Sequence, residues 1–295
     1  MLSKGAVIDK LKSYKPCRNC NGPISKTISL SDLNLDERKR NCVCGHSQLD
    51  DVMLDVLNLM SDYNELQNND LKAVTLRDAG TPLVEIGYPL KYLPVVSKDE
   101  LIVMKDVSKA CAKEILNIPE VKGVISNNSK NTGLNRAEDS GEVNKLIAGD
   151  DFRCDIFVLK SIMDCVVICK NQSKVHIEFP RPFNPKIAKI DRLNLKGKVV
   201  VDGFCGSGTL GLAALKKGAK KVIFSDINPH ALKDVIYNLK LNFSKDVFEK
   251  VEIINSNFLN LDITGDVCFV DLFPHMDREP FLNKAKTISK QIVLI

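Results

Sequence analysis

Between residues 199 and 232 the sequence reads VVVDGFCGSGTLGLAALKKGAKKVIFSDINPHAL. An apolar run closes on Asp202, a turn Cys205-Gly206-Ser207-Gly208-Thr209 follows, and a second apolar run ends on Asp226, 24 positions after Asp202. Glycines in such a turn let the backbone bend tightly and approach a ligand with no Cβ in the way. An acidic residue closing the next strand is placed to accept hydrogen bonds from ribose hydroxyls, so the pattern fits an adenosine-containing cofactor. Two cofactors compete for it. A nicotinamide dinucleotide needs Gly-x-Gly-x-x-Gly to hold a pyrophosphate at a helix N-terminus, and Gly206, Gly208 and Gly211 supply that count. Asp202 argues against it, because a carboxylate there repels pyrophosphate and suits the cationic amino end of S-adenosylmethionine (SAM).

A second set of residues lies near the start. Cys17 and Cys20 form one pair, Cys42 and Cys44 another, with His46 two positions on, so four thiols fall within 28 positions. Two tight pairs of soft ligands are what a tetrahedral Zn²⁺ needs, and a segment this short cannot fold on apolar burial alone. The second pair is spaced C-x-C rather than C-x-x-C, so either Cys44 or His46 is the fourth ligand. Structural zinc is the favoured reading, ahead of an iron–sulfur centre or unliganded thiols.

The elements that must position these residues follow from periodicity. Leu49, Val52, Met53, Val56, Leu57 and Met60 make one helical apolar stripe. Ser97 and Glu100 read as a capping box for a helix running to Asn117, and Val121–Ser126 reads as a strand. Residues 127–150 are polar and rich in Gly, Asn and Ser, the best candidate for a linker. Three β-branched runs, Asp155–Lys160, Cys165–Lys170 and Val175–Phe179, read as an antiparallel meander ended by the prolines of PRPFNPK. From residue 196 strand and helix alternate: Val199–Asp202, a helix from Thr209, Val222–Asp226, a helix from Pro229, Val251–Asn255, Val267–Asp271, a helix near 279–289, and Gln291–Ile295. Such alternation builds a parallel sheet covered by helices. The expected fold class is therefore α/β, with a Rossmann-like C-terminal domain. Three regions are expected: a zinc-ribbon-like segment over 1–48, a substrate-selecting α+β region over 49–150, and a cofactor-binding domain over 151–295, itself a β-meander at 151–180 followed by the core at 196–295.

DGFCGSGT resembles the first motif of class I SAM-dependent methyltransferases, in the D-P-F-C-G-S-G-T variant frequent among enzymes acting on RNA and DNA. SDINPHAL resembles their second motif, as in the tRNA guanine-N1 methyltransferase group. The resemblance covers residues 196–295. It implies that Asp202, Phe204, Cys205, Gly206, Ser207 and Gly208 hold the methionine part of SAM, Asp226 the ribose, and Ile227 one face of the adenine. Asn257 stands where the family has an acidic residue near the adenine amino group. The fourth motif falls on Asp271-Leu272-Phe273-Pro274, where nitrogen-methylating relatives carry N-P-P-aromatic or N-L-P. Its task there is to accept hydrogen bonds from the target amine and aim a lone pair at the methyl group. Asp271 is expected to do this and to take the proton, with Phe273 stacking on a base and His275 as a second proton acceptor. Each also has a structural reading: a strand-end carboxylate, a core ring, a surface histidine. Cys205 is expected to contribute its backbone, and the resemblance implies no covalent base chemistry, because no Pro-Cys stands where cytosine-C5 methyltransferases place their nucleophile. The family usually has seven strands, of which this stretch supplies five; the meander or a second copy of the chain in a homodimer is expected to cover the exposed sheet edge.

Composition sets the frame for these readings. The chain has 295 residues, 44% hydrophobic and 27% charged, which excludes a mainly disordered protein. No apolar run reaches eighteen residues and the start lacks a secretory h-region, so a cytoplasmic protein with reduced thiols and no membrane partner is expected. The net charge is +5, and residues 1–48 hold nine Lys/Arg against four Asp/Glu, leaving the remainder balanced. A basic metal-binding segment beside a SAM site points to RNA, with tRNA favoured, as the methyl acceptor. The alternatives are a protein acceptor, a small molecule, and a catalytically silent SAM- or RNA-binding module.

Overall fold

The computed structural model describes residues 2–22, 27–32, 40–66, 72–126, 144–178, 184–273 and 276–295. The chain divides into two compact units, one built from Ala6–Ser129 with Asn144–Arg153, the other from Met1–Gly5 with Cys154–Ile295. The first region carries a short helix α1 (Lys4–Lys10), strand β1 (Ser47–Gln48) and helix α2 (Leu49–Asp62), then β2 (Thr81–Val84), β3 (Ile86–Gly87), β4 (Val95–Val96), β5 (Leu101–Met104), α3 (Lys109–Ile115), β6 (Val121–Ile125) and β7 (Leu146–Gly149). Four of these strands form a sheet in the order β2-β5-β6-β7, with only the β5–β6 pair parallel. The predicted stripe of α2 is buried: Val52, Met53, Val56, Leu57 and Met60 join Leu101, Val103, Cys111 and Ile115 in one core.

Two expectations fail in this unit. The Ser97 N–H does donate to Glu100 Oε2 at 2.7 Å, half of a capping box, yet the turn feeds strand β5 and not a helix. Leu101, Ile102, Val103 and Met104 are all buried, and an apolar run buried on both faces has no period from which to tell helix from strand. The helix starts later, where the Ser108 side chain caps it by accepting from the Cys111 N–H. The supposed linker is also shorter than expected, since Leu146–Gly149 pairs antiparallel with β6; residues 127–143 lie outside the described residues.

In the second unit a hairpin of β8 (Phe152–Leu159) and β9 (Asp164–Asn171) precedes α4 (Pro185–Arg192), β10 (Val199–Asp202), α5 (Thr209–Lys216), β11 (Lys221–Asp226), α6 (Pro229–Asn242), β12 (Val251–Asn255), β13 (Val267–Val270), α7 (Glu279–Ile288) and β14 (Gln291–Leu294). The five core strands lie in the order β12-β11-β10-β13-β14 and are all parallel. Alternation along each strand sorts its side chains to two faces. Val200, Val222, Phe224, Val267 and Phe269 share a core with α4, α5, α6 and the hairpin. Val201, Ile223, Cys268 and Val270 share the opposite one with Phe258, Ala285 and Ile288. Asn184-Pro185 and Asn228-Pro229 open α4 and α6: each asparagine side chain accepts from the first helical N–H groups, and proline needs no donor there.

The hairpin corrects three expectations. Its third run, residues 175–178, is not a strand but a loop, and Phe179 lies outside the described residues. The hairpin does not pair with the core sheet, whose edges among the described residues are β12 and β14; β9 packs against α5 and α6. The thiols are not all reduced, because Cys154 and Cys169 face each other across the hairpin and form a disulfide, leaving eight free cysteines. Partners 15 residues apart come together only when the hairpin closes.

Candidate active site

The strand order reverses between β10 and β13, so the loops after these strands and β11 splay apart and leave a crevice at their carboxyl ends. A cavity of about 610 Å³ occupies it. It is lined by Gly203–Ser207, Asp226, Ile227, Asn257 and Phe258 together with His176, Glu178, Lys186, Asp271, Phe273 and Arg278.

The turn after β10 is tied down bond by bond. The Cys205 N–H donates to Ser225 O at 3.0 Å, and the Gly208 N–H to Cys205 O at 2.8 Å. Gly206 and Gly208 have φ of +50° and +95°, the left-handed region that favours glycine. Asp226 accepts from the Gly206 N–H with one oxygen and from the Asn228 N–H with the other, both at 2.8 Å. The residue expected at the ribose therefore also joins the turn to the next one. Asn257 lines the cavity, but its Oδ1 accepts from the Leu259 N–H at 3.0 Å and so caps the short helix Phe258–Asn260. The Cys205 thiol is buried, which pushes it well up, in keeping with a backbone contribution only.

Asp202 lies under this turn, fully buried. Its Oδ2 accepts from the Gly211 N–H at 2.8 Å, while Oδ1 is buried with no hydrogen-bond partner. Burial, followed by the nearby Asp271 and Asp226, pushes its carboxyl up to about 7. A carboxylate oxygen left unsatisfied beside a glycine turn fits a cationic ligand group, as the α-ammonium of SAM is, and does not fit a pyrophosphate.

Lys186 Nζ lies 2.5 Å from Asp271 Oδ2. The His176 ring tilts against Phe273 with centroids 4.5 Å apart, and burial, with Lys186 beside it, holds the imidazole below the ordinary histidine range. Glu178 accepts from the Thr209 hydroxyl at 3.1 Å. Phe204, Phe258 and Phe281 form an aromatic cluster with centroids 4.8 to 6.4 Å apart. The cavity thus gathers Phe204, Cys205, Gly206, Ser207, Asp226, Ile227, Asn257, Asp271 and Phe273 from the sequence expectation. Pro274 and His275 lie outside the described residues. His176, Glu178, Lys186, Phe258, Phe281 and Arg278 line it as well without a local sequence signature; for the first three the one signal is that 175–186 leads directly into the core.

In the first unit, the Sγ atoms of Cys17, Cys20, Cys42 and Cys44 lie within 4.8 Å of one another. Three of the separations are 3.6, 3.6 and 3.8 Å. A Zn–S bond of about 2.3 Å gives a tetrahedron with edges of about 3.8 Å, so the donor set fits a structural zinc. The backbone N–H groups of Cys20 and Asn19 bring the Cys17 thiol down to about 6, toward the thiolate a metal requires. His46 enters through its backbone, its carbonyl accepting from the Cys42 N–H at 2.9 Å.

A parallel sheet of this order, with a glycine turn and strand-end carboxylates at its switch point, is an arrangement suited to an adenosine-containing cofactor. The family model for ribosomal protein L11 methyltransferase (PrmA) matches residues 186–271. The chain is 53% identical over 60 residues to the ribosomal protein L11 methyltransferase of Colwellia psychrerythraea, a match covering 20% of each chain. It is 59% identical over 90 residues to that of Aeromonas salmonicida, covering 30% of each. The chain thus spans about a third or less of the ribosomal protein L11 methyltransferases it matches. Among solved structures, a tRNA m1G37 methyltransferase of M. jannaschii shares 20% identity at a TM-score of 0.46, with 80% of this chain and 62% of that one covered.

Proposed function

We propose that the protein transfers the methyl group of SAM to a nitrogen of RNA, with tRNA the favoured substrate class. The observation that carries this reading is that Asp271, a strand-end carboxylate, lines the same cavity as Cys205, Gly206 and Ser207 of the glycine turn. Asp202 and the turn hold the amino-acid end of the cofactor, Asp226 the ribose, and Ile227 and Phe258 the faces of the adenine. When bound, SAM supplies a methyl carbon made electrophilic by a sulfonium sulfur. Asp271 accepts a hydrogen bond from the acceptor N–H and so aims the nitrogen lone pair at that carbon, a contribution of up to roughly 7–11 kcal/mol in favourable cases. Phe273 and His176 form the wall against which an acceptor base docks. Cys17, Cys20, Cys42 and Cys44 hold a structural zinc that organises the basic N-terminal segment, which meets the phosphate backbone.

This reading carries with it a cytoplasmic location. Among the described residues no helix is long and apolar enough to cross a membrane. A second copy of the chain is our proposed cover for the β14 edge, and sedimentation at several concentrations tests it.

A second reading, methylation of a protein side chain, is favoured by the sequence matches to ribosomal protein L11 methyltransferases. One experiment separates the two. Purified protein and radiolabelled SAM are incubated with extract from a strain lacking the gene, and the product is treated with RNase or protease. Label lost to RNase supports RNA; label lost only to protease moves the acceptor to protein; no label in either sinks the enzymatic reading.

A further inference from the structure

An isolated carboxylate is a poor device for orienting a neutral N–H group in this cavity. Asp226 and Glu178 line the same cavity and Asp202 lies close enough to Asp271 to feel its charge. A further uncompensated negative charge there would attract a proton or an alkylammonium instead of a neutral donor. Lys186 removes that charge. Its Nζ contacts Asp271 Oδ2 at 2.5 Å, which engages that oxygen of the carboxylate. The lysine side chain is 40% exposed and the aspartate 19%, so the cation sits toward solvent and the carboxylate toward the interior.

The lysine is also delivered by a rigid element. Asn184 Oδ1 accepts from the N–H groups of both Lys186 and Ile187, at 3.0 and 3.1 Å. Pro185 fixes the first helical position, and Ile187 is buried beside it. An ion pair held this way is neutral as a whole, offers one acceptor oxygen, and is stiff; a side-chain amide has the same properties.

We propose that Lys186 is a positioning residue that turns Asp271 into a charge-balanced acceptor, so that the slot selects an uncharged N–H, such as that of a nucleobase, over an alkylammonium. This rests on the methyltransferase reading above. The methyl carbon leaves sulfur, whose bonding pair stays behind as a thioether lone pair, and bonds to the acceptor nitrogen; that nitrogen, now cationic, releases its proton to water at the open end of the cavity.

The test is a charge-swap cycle read by single-turnover methyl transfer from labelled SAM to RNA of a strain lacking the gene, with calorimetry of SAM binding alongside. Lys186→Met and Asp271→Asn each leave one charge unbalanced and are expected to slow transfer about 30- to 100-fold, with SAM affinity within about twofold of wild type. Lys186→Arg keeps the pair and should retain most of the rate. The double variant Asp271→Asn/Lys186→Met restores a neutral acceptor and should be faster than either single variant. A double variant no faster than the slower single one overturns the proposal, as does a Lys186→Met protein with wild-type rate or with lost SAM binding despite an unchanged melting curve. If Lys186→Met does not fold, Lys186→Gln takes its place with the same expected outcomes. Failure of the underlying reading looks different: the wild type itself would bind no SAM or label no RNA.

Discussion

The side chain of Asn238 pairs with the backbone of Cys169 as a neighbouring strand would, its Oδ1 accepting from the Cys169 N–H at 2.8 Å and its Nδ2 donating to the Cys169 carbonyl at 3.0 Å. Asn242 does the same for Val167, at 2.9 and 2.7 Å. Four residues of helix rise about 6 Å and two of strand rise about 6.6 Å, so asparagines at i and i+4 on α6 match alternate residues of β9. The outer strand of the hairpin is thereby closed by a helix. Asn238 Nδ2 also donates to Ser207 O at 3.0 Å, tying the strand to the glycine turn.

That shared bond separates the two asparagines. Asn238→Ala leaves three buried backbone groups without their partner, and a loss of about 2–4 kcal/mol in urea unfolding is expected, together with weaker SAM binding. Asn242→Ala should lose comparable stability with SAM affinity unchanged, because its third partner is Asn238 O and not the turn. Equal effects of both on SAM binding would count against the coupling.

Asp202 gives a signed pH dependence. Its folded carboxyl is raised by burial to about 7, above its ordinary value of 3.8. Between those two values the folded protein holds a proton that the unfolded chain has released, so this group's stabilisation is present below about pH 4 and is lost as pH rises through 7. Asp202→Asn removes the dependence. The apo variant should gain on wild type by about 3 kcal/mol between pH 5 and pH 8 in urea titrations, and a pH-independent difference would refute the assignment. Wild-type SAM affinity should rise over the same interval, since the cation binds the carboxylate form.

Gly203 lies against Phe258 in the cavity wall. A Cβ at Gly203 would meet the ring at 2.3 Å, so Gly203→Ala must push Phe258 out of the aromatic cluster. We expect a loss of about 1–3 kcal/mol in stability and a weaker affinity for both SAM and its demethylated product, measured by calorimetry. Unchanged affinity for both would show that Phe258 does not face the adenine.

The four thiols predict a metal count. Purified protein should carry one zinc per chain by elemental analysis, and Cys44→Ser should lose it while His46→Ala keeps it. Chelation should lower the melting temperature, because a closed tetrathiolate site binds the folded state. Metal retained in Cys44→Ser would transfer the fourth ligand elsewhere.

The sequence by itself determined the elements whose signals are local. Every strand and α-helix from Val199 to Leu294 starts within a residue or two of its expected place, because strand-end carboxylates, Asn-Pro caps and glycines at positive φ act over a few positions, whereas the single-turn helix Phe258–Asn260 gave no such signal. The strand-end carboxylates Asp202 and Asp226 and the paired cysteines were legible for the same reason. Leu101–Met104 was not, because a run buried on both faces has no period to read, and the Cys154–Cys169 pair was not, because facing depends on closing the hairpin.

Tertiary structure alone decided what meets Asp271 in the cavity. Lys186 and Asp271 stand 85 residues apart, and nothing local marks the lysine as the partner of that carboxylate. Their contact exists because α4 and the end of β13 are packed onto one sheet whose strand order reverses beside them. Charge balance at a site is a sum over neighbours in space, which a chain read in order does not contain until the sheet has brought those neighbours together.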